Sequence, residues 1–287
     1  AQRAVVGCLH WQGDPALHPS ELTANPAPGL LVSVRDEDEA RIVLEAMLDH
    51  LASADNPQRP FVLDVKDPGR GPLGAASPEV LRSIAALQRA WMQPKRTSET
   101  NTPPRIEISA ALGELRDWSD ASDFHAALMH ALAGFGFAKA GNSGIGDRQT
   151  LQQSWQGLRD ALPPTTELVA VAYADHVAAD SLSVEQTIES AGNCQFKTLL
   201  IDTFDKMGPG TISLLGRRRM RVIQSLCDAS NLRLVLAGKV KQTELASPSF
   251  SRAWMIGVRG AACGDQDRRK EIDRERLCGL IQTLVQT

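Results

Sequence analysis

The chain has 287 residues, 43% of them hydrophobic, and a formal charge of −3 at pH 7. That length fits one large α/β barrel or two ordinary domains, and the near-neutral charge gives no reason to expect nucleic acid or an acidic membrane as a partner. Five cysteines, Cys8, Cys194, Cys227, Cys263 and Cys278, stand at scattered spacings without a C-x-x-C pair, which argues against zinc and redox motifs and for reduced thiols. No apolar run approaches the roughly 18 residues of a membrane span, and Ala1 to Pro15 lacks a basic-then-apolar signal pattern, so a soluble, cytoplasmic protein is expected.

Residues 1–29 hold two histidines among scattered Pro and Gly with no sustained period, and read as an irregular N-terminal extension. A regular pattern follows. Leu30 to Val34 is a short apolar strand, and Asp36-Glu37-Asp38-Glu39 is the acidic first turn of a helix running to about Leu51. Phe61 to Lys66 is the second strand, and Ser77-Pro78-Glu79 starts a helix carrying Val80, Leu81, Ile84 and Leu87. The polar, Pro-rich stretch 93–104 reads as a solvated loop insertion within the same domain. Strand three is Arg105 to Leu112, with a helix from about Asp120 to Leu132. Strand four is Gly134 to Gly141, with a helix around Leu151 to Leu162. Strand five is Leu168 to Tyr173, with a helix near Val184 to Ala191. Strand six is the run ending at Asp202, and its helix is Ile212 to Ser230. Strands seven and eight are Leu232 to Ala237 and Trp254 to Val258, and a last helix covers roughly Arg269 to Val285.

Eight strands alternating with helices argue for parallel βα units, and that count in a chain of this length predicts a single (β/α)8 TIM barrel over residues 30–287. The alternative, a doubly wound sheet, calls for a Gly-rich dinucleotide turn after strand one, and Ser33-Val34-Arg35-Asp36 is not one.

A barrel of this kind carries its site at the carboxyl ends of the strands, so the informative residues are polar ones that end apolar runs. Asp64 and Lys66 lie two apart on strand two and share a face, while Leu63 and Val65 occupy the other and meet the helices. Lys139 comes from strand four, and Asp202 with Lys206 leaves strand six; these alternate strands bring side chains to common layers, so Lys66, Lys139 and Asp202 are expected to converge. Crowded amines lose protons more readily, and a neutral lysine attacks carbonyls to form a Schiff base. The competing reading makes these lysines structural ion-pair partners and Asp202 a helix cap.

Gly238-Lys239 and Arg259-Gly260 stand where barrels bind phosphate, and with Asp64 they are the expected substrate- and phosphate-binding residues. The run Gly141 to Gly146 reads as a tight loop over the pocket. Asp175 and His176 follow strand five, and a structural role is expected for His176. The other histidines form no H-x-x-x-H or H-E-x-x-H pair, so no metal site is expected.

Taken in order, Leu31-Val32-Ser33, Asp64-Val65-Lys66-Asp67-Pro68 through Gly71 to Ala75, Lys139-Ala140-Gly141, Ala172 to Asp175, Asp202-Thr203-Phe204-Asp205-Lys206 and Gly257 to Cys263 resemble the (5-formylfuran-3-yl)methyl phosphate synthase family. The resemblance spans about residues 30–285. It implies a (β/α)8 barrel that makes a furan phosphate from two molecules of glyceraldehyde 3-phosphate in methanofuran-type cofactor biosynthesis. Residues matching the family's catalytic set are Lys66, Lys139, Asp202 and Lys206, with Asp205 left as a structural acid. Two departures stand out. The extension and the 93–104 insertion have no counterpart in compact archaeal members, and Glu114-Leu115-Arg116-Asp117-Trp118 replaces a Tyr-Lys-Pro segment, as in a bacterial branch.

The implied stoichiometry loses one phosphate and two waters without net oxidation, so no cofactor is required. Lys66 is the expected Schiff-base lysine, Asp202 and Lys206 the acid–base pair, and Lys139 the holder of phosphate or enolate charge. The other readings are a Schiff-base aldolase on another phosphorylated sugar and a non-catalytic barrel binding a phosphorylated ligand. A phosphorylated triose is the expected partner, and a homo-oligomer is compatible with the sequence.

Overall fold

The computed structural model describes residues 28–53, 60–92, 106–118 and 122–285. The expected extension, apart from Pro28 and Gly29, and the 93–104 insertion lie outside them. Eight strands, β1 (Gly29–Val34), β2 (Phe61–Val65), β3 (Ile106–Glu114), β4 (Phe137–Gly141), β5 (Glu167–Tyr173), β6 (Thr198–Asp202), β7 (Arg233–Leu236) and β8 (Met255–Val258), close into a barrel in chain order. Every pairing is parallel, including the closing pair of β1 with β8.

Helices α1 (Glu37–Ser53), α2 (Pro78–Met92), α3 (Asp123–Ala131), α4 (Arg148–Ala161), α5 (Val184–Asn193), α6 (Thr211–Ala229) and α7 (Arg274–Val285) follow the strands in turn, except after β7, where two short 3-10 turns lead to β8. Short polar side chains start several of them. Ser122 caps α3, Asp147 caps α4, and Ser183 with Gln186 forms a capping box on α5.

Strand alternation divides the apolar residues into two shells. Leu31, Val62, Val169, Leu200, Val235 and Met255 fill the barrel interior, whereas Leu30, Val32, Leu63 and Val65 face outward against the helices. Asp64 and Lys66 follow Val62 on the inward face, which carries two charges to the carboxyl-terminal mouth. Among the described residues no helix is long and apolar enough to cross a membrane.

The largest boundary shift falls at the last helix. The last helix begins at Arg274 and not near Arg269, because Cys263 pairs antiparallel with Ile272 and the chain between them folds into a hairpin. Asp265 and Gln266 turn that hairpin with positive φ values of 50° and 57°.

Candidate active site

Asp64, Lys66, Lys139, Asp202, Lys206, Gly238, Lys239, Arg259 and Gly260 line one cavity of about 990 Å³ at the carboxyl-terminal mouth, and Asp175 and His176 do not. Its floor is built by register. Ser33, Asp64 and Ser109 stand side by side on β1, β2 and β3, and Lys139 of β4 reaches across to them. The Ser33 hydroxyl donates to Asp64 at 2.9 Å, and the Lys139 ammonium pairs with Asp64 and donates to Ser109 Oγ at 3.0 Å. Burial alone would push the Asp64 carboxyl up, but Lys139, Lys66 and the hydrogen bonds from Lys139 and Ser33 outweigh it and hold it below the usual carboxylate range.

A second ion pair stands across the mouth. Asp202 ends β6, and four residues later Lys206 folds back to donate to its Oδ1 at 2.7 Å. The Thr203 amide donates to the same oxygen at 2.7 Å. Here too burial raises the carboxyl, and Lys206, Lys66 and the amide lower it further than burial raises it. Asp205 turns away to accept from the Met207 amide, while Asp175 accepts from the amides of Phe204 and Asp205, so both acids shape the loop and not the floor.

Lys66 lies between the two pairs. Its side chain is buried, and among the described residues no group is hydrogen-bonded to its amine. Burial pushes its ammonium down to about 8; Asp202 and Asp64 oppose the shift, and Lys206 and Arg268 add to it. A lysine so placed carries a usable neutral fraction near physiological pH, which is what attack on a carbonyl needs.

Several expectations change in detail. Lys139 is the most enclosed of the amines, and its bonds to Asp64 and Ser109 make it the support of Asp64 and not a free holder of phosphate or enolate charge. Arg259 is buried, and its guanidinium bonds to Glu39, to the Ser33 carbonyl at 2.9 Å and to the Arg268 carbonyl at 2.7 Å. Those bonds tie β8 to β1 and to the hairpin, so its side chain is not free for phosphate. Lys239 bonds to the carbonyls of Met207 and Gly208 and closes the loop after β6. Gly238 has φ +88°, and a Cβ there would stand 2.3 Å from Thr211 Oγ1, so a close approach to the start of α6 requires glycine. The 141–146 run does not cover the cavity. None of its residues lines the cavity, and Gly141 leaves room for the Glu114 carboxylate to accept from the Tyr173 hydroxyl at 2.7 Å. His176 follows β5 with its Nδ1 buried and outside the cavity lining.

Sequence reasoning missed Glu39 and Arg268. Glu39 reads as part of an acidic first turn, yet it turns inward as the counter-ion of both Arg35 and Arg259. Arg268 falls in what reads as the approach to a helix.

A parallel eight-stranded barrel with buried lysines and carboxylates gathered at its carboxyl-terminal mouth belongs to the class of (β/α)8 barrels, whose sites lie at that end. The model for the 4-HFC-P synthase family matches residues 30–280, and the chain belongs to that family. Among its relatives, the (5-formylfuran-3-yl)methyl phosphate synthase of Methanosarcina acetivorans is 28% identical over 84% of this chain and 93% of its own. The protein of the same name from Methanopyrus kandleri is 26% identical over 87% of this chain and 95% of its own. A solved phosphoribosyl anthranilate isomerase from Thermus thermophilus superposes with a TM-score of 0.51 at 12% identity, covering 90% of this chain and 98% of that one, and shows the shared barrel fold.

Proposed function

We propose that the protein condenses two molecules of glyceraldehyde 3-phosphate into (5-formylfuran-3-yl)methyl phosphate through a Schiff base on Lys66. The observation that carries this reading is the buried Lys66 amine, lowered to about 8 and facing two ionised carboxylates in the family's barrel. The relatives' names supply the product.

In this reading the Lys66 amine attacks the aldehyde of one triose phosphate and releases water. The resulting iminium accepts the electron pair left when a proton leaves the adjacent carbon, giving an enamine. That enamine forms the carbon–carbon bond to the second carbonyl. Asp202 and Lys206, joined at 2.7 Å, take the proton and return one to the departing oxygens. Lys139 acts one step removed, by keeping Asp64 ionised beneath Lys66. Hydrolysis of the Schiff base takes back the water its formation released. A hydroxyl of the joined chain then adds to the aldehyde carbon and closes the ring, so the net change is one carbon–carbon bond and one ring carbon–oxygen bond formed and one phosphate and two waters lost, and no oxidant or reductant enters the balance.

Incubation with glyceraldehyde 3-phosphate alone tests the reading. Appearance of the ultraviolet absorbance of a furan aldehyde, with one phosphate released per product, is the expected outcome. A reversible aldol product without that absorbance identifies a Schiff-base aldolase, and no turnover with retained ligand binding identifies a non-catalytic barrel.

A further inference from the structure

One cationic group of the cavity has a buried nitrogen without a partner. Arg268 lines the cavity, and its Nη2 is fully buried without a hydrogen-bond partner. Such an atom is costly to leave alone, because an N–H removed from water needs an acceptor to replace the one it lost. Burial works against the charge of Arg268, and Asp202 is the main group that offsets this. The Asp202 carboxylate itself is already held by Lys206 and the Thr203 amide.

The surrounding structure fixes where Arg268 points. Its carbonyl accepts from Arg259 Nε at 2.7 Å, and Arg259 is anchored through Glu39 to α1. The hairpin is closed by Gly264 N–H donating to the Glu271 carbonyl and by the Cys263–Ile272 bridge. A Cβ at Gly260 would come within 3.1 Å of the Gln266 carbonyl and 3.9 Å of Arg268 Cβ, so the missing side chain lets the hairpin lie close over β8. Two arginines thus divide the work. Arg259 is a post that carries the hairpin, and Arg268 is the side chain the hairpin delivers into the cavity.

Charge balance in the cavity points the same way. Eight lysines and arginines line the cavity against five aspartates, Asp64, Asp202, Asp205, Asp265 and Asp267, and Lys66, Lys139, Lys206 and Arg268 stand with Asp64 and Asp202, an excess of positive charge suited to a dianion. Among those cations Lys139 and Lys206 are spent on their carboxylates and the Lys66 amine is left for a carbonyl, whereas Arg268 has an open Nη2, and a planar guanidinium suits paired bonds to phosphate oxygens.

We infer that Arg268 is the phosphate-recognising residue of this cavity, holding the ester phosphate of a triose phosphate through Nη2 in the role that sequence position assigns to Arg259. The identity of the ligand rests on the proposed reading; the anion-holding role rests on the geometry alone.

The test is calorimetric titration of the whole chain with glycerol 3-phosphate, an unreactive phosphorylated three-carbon compound, and with glycerol. Wild-type protein binds the phosphate ester and not glycerol, and Arg268→Met weakens the ester by about 10- to 100-fold. Arg274→Met, a change at an exposed arginine outside the cavity lining and paired with Asp49, leaves the affinity within about twofold. Equal losses in both variants would reduce the effect to overall charge and overturn the inference, as would unchanged affinity in Arg268→Met or no binding by wild type. Should Arg268→Met fail to fold, Arg268→Lys serves instead: it keeps the charge but loses the paired bonds, and unchanged affinity there also overturns the inference. Loss of ester binding in Arg268→Met, alongside a wild type that makes no furan from glyceraldehyde 3-phosphate, leaves the phosphate role standing and removes the proposed reaction.

Discussion

Replacing Lys66 with methionine should make the protein more stable while abolishing its chemistry. Methionine keeps most of the buried stem and removes the charge. The Lys66 ammonium dissociates at about 8 in the folded chain against an ordinary 10.5. That difference corresponds to about 3 kcal/mol by which folding disfavours the charged form. Below pH 8 both states are protonated, and the folded chain bears the whole of this cost. Between about 8 and 10.5 the folded chain has released the proton while the unfolded chain still holds it, so stability rises with pH across that window. Lys66→Met should therefore gain about 3 kcal/mol at pH 7 and only about 1 kcal/mol at pH 10. Urea unfolding followed by tryptophan fluorescence at the two pH values measures both gains. A loss of stability at pH 7, or the same gain at both pH values, would refute the argument that Lys66 is held against its charged form.

The other ion pairs give effects of opposite sign. Asp64→Asn strands the buried Lys139 ammonium and should cost about 3–5 kcal/mol in urea unfolding at pH 7, while a second change, Lys139→Met, should restore much of it; strictly additive losses would contradict a direct pair. The Asp64 contribution is present above the unfolded carboxyl pKa near 4 and should vanish as pH falls through the lower folded value. Glu39→Gln removes the anchor of Arg259 and should speed hydrogen exchange at the Gly264 and Asp273 amides, which close the hairpin; unchanged protection would detach Glu39 from it. Gly238→Ala forces a Cβ onto Thr211 at a φ of +88° and should lower stability by about 1–3 kcal/mol, measured by thermal unfolding; no change would show that the loop yields freely.

Much of this architecture is legible in the chain because its signals are local. Each strand is a short apolar run, and the alternation of Leu63, Asp64, Val65 and Lys66 assigns faces without any knowledge of partners. Asp202 and Lys206 meet within one turn of chain, so their spacing already holds the contact. The two arginines after β8 show where such reading ends. Arg259 stands at the strand end and looks exposed to substrate, but its counter-ion Glu39 comes from 220 residues earlier, and no local pattern announces that pair. Arg268 sits in Asp267-Arg268-Arg269-Lys270, whose charges resemble a solvated helix start. The Gly264-Asp265 pair ahead of it is the one turn signal that favours a hairpin, and the left-handed conformations of Asp265 and Gln266 complete it. The Gly141–Gly146 run misleads for a related reason. Its small residues make room for Glu114 and Tyr173 from two other strands, a packing need that looks in sequence like a ligand loop.

Lys66 is the proposed nucleophile among the amines of the mouth. Borohydride added to the protein with glyceraldehyde 3-phosphate, followed by peptide mapping, tests it most directly. Stable modification of Lys66, lost in Lys66→Met and dependent on the substrate, is the predicted result. Modification of Lys139 or Lys206 in its place, or no trapped adduct during turnover, would contradict the account.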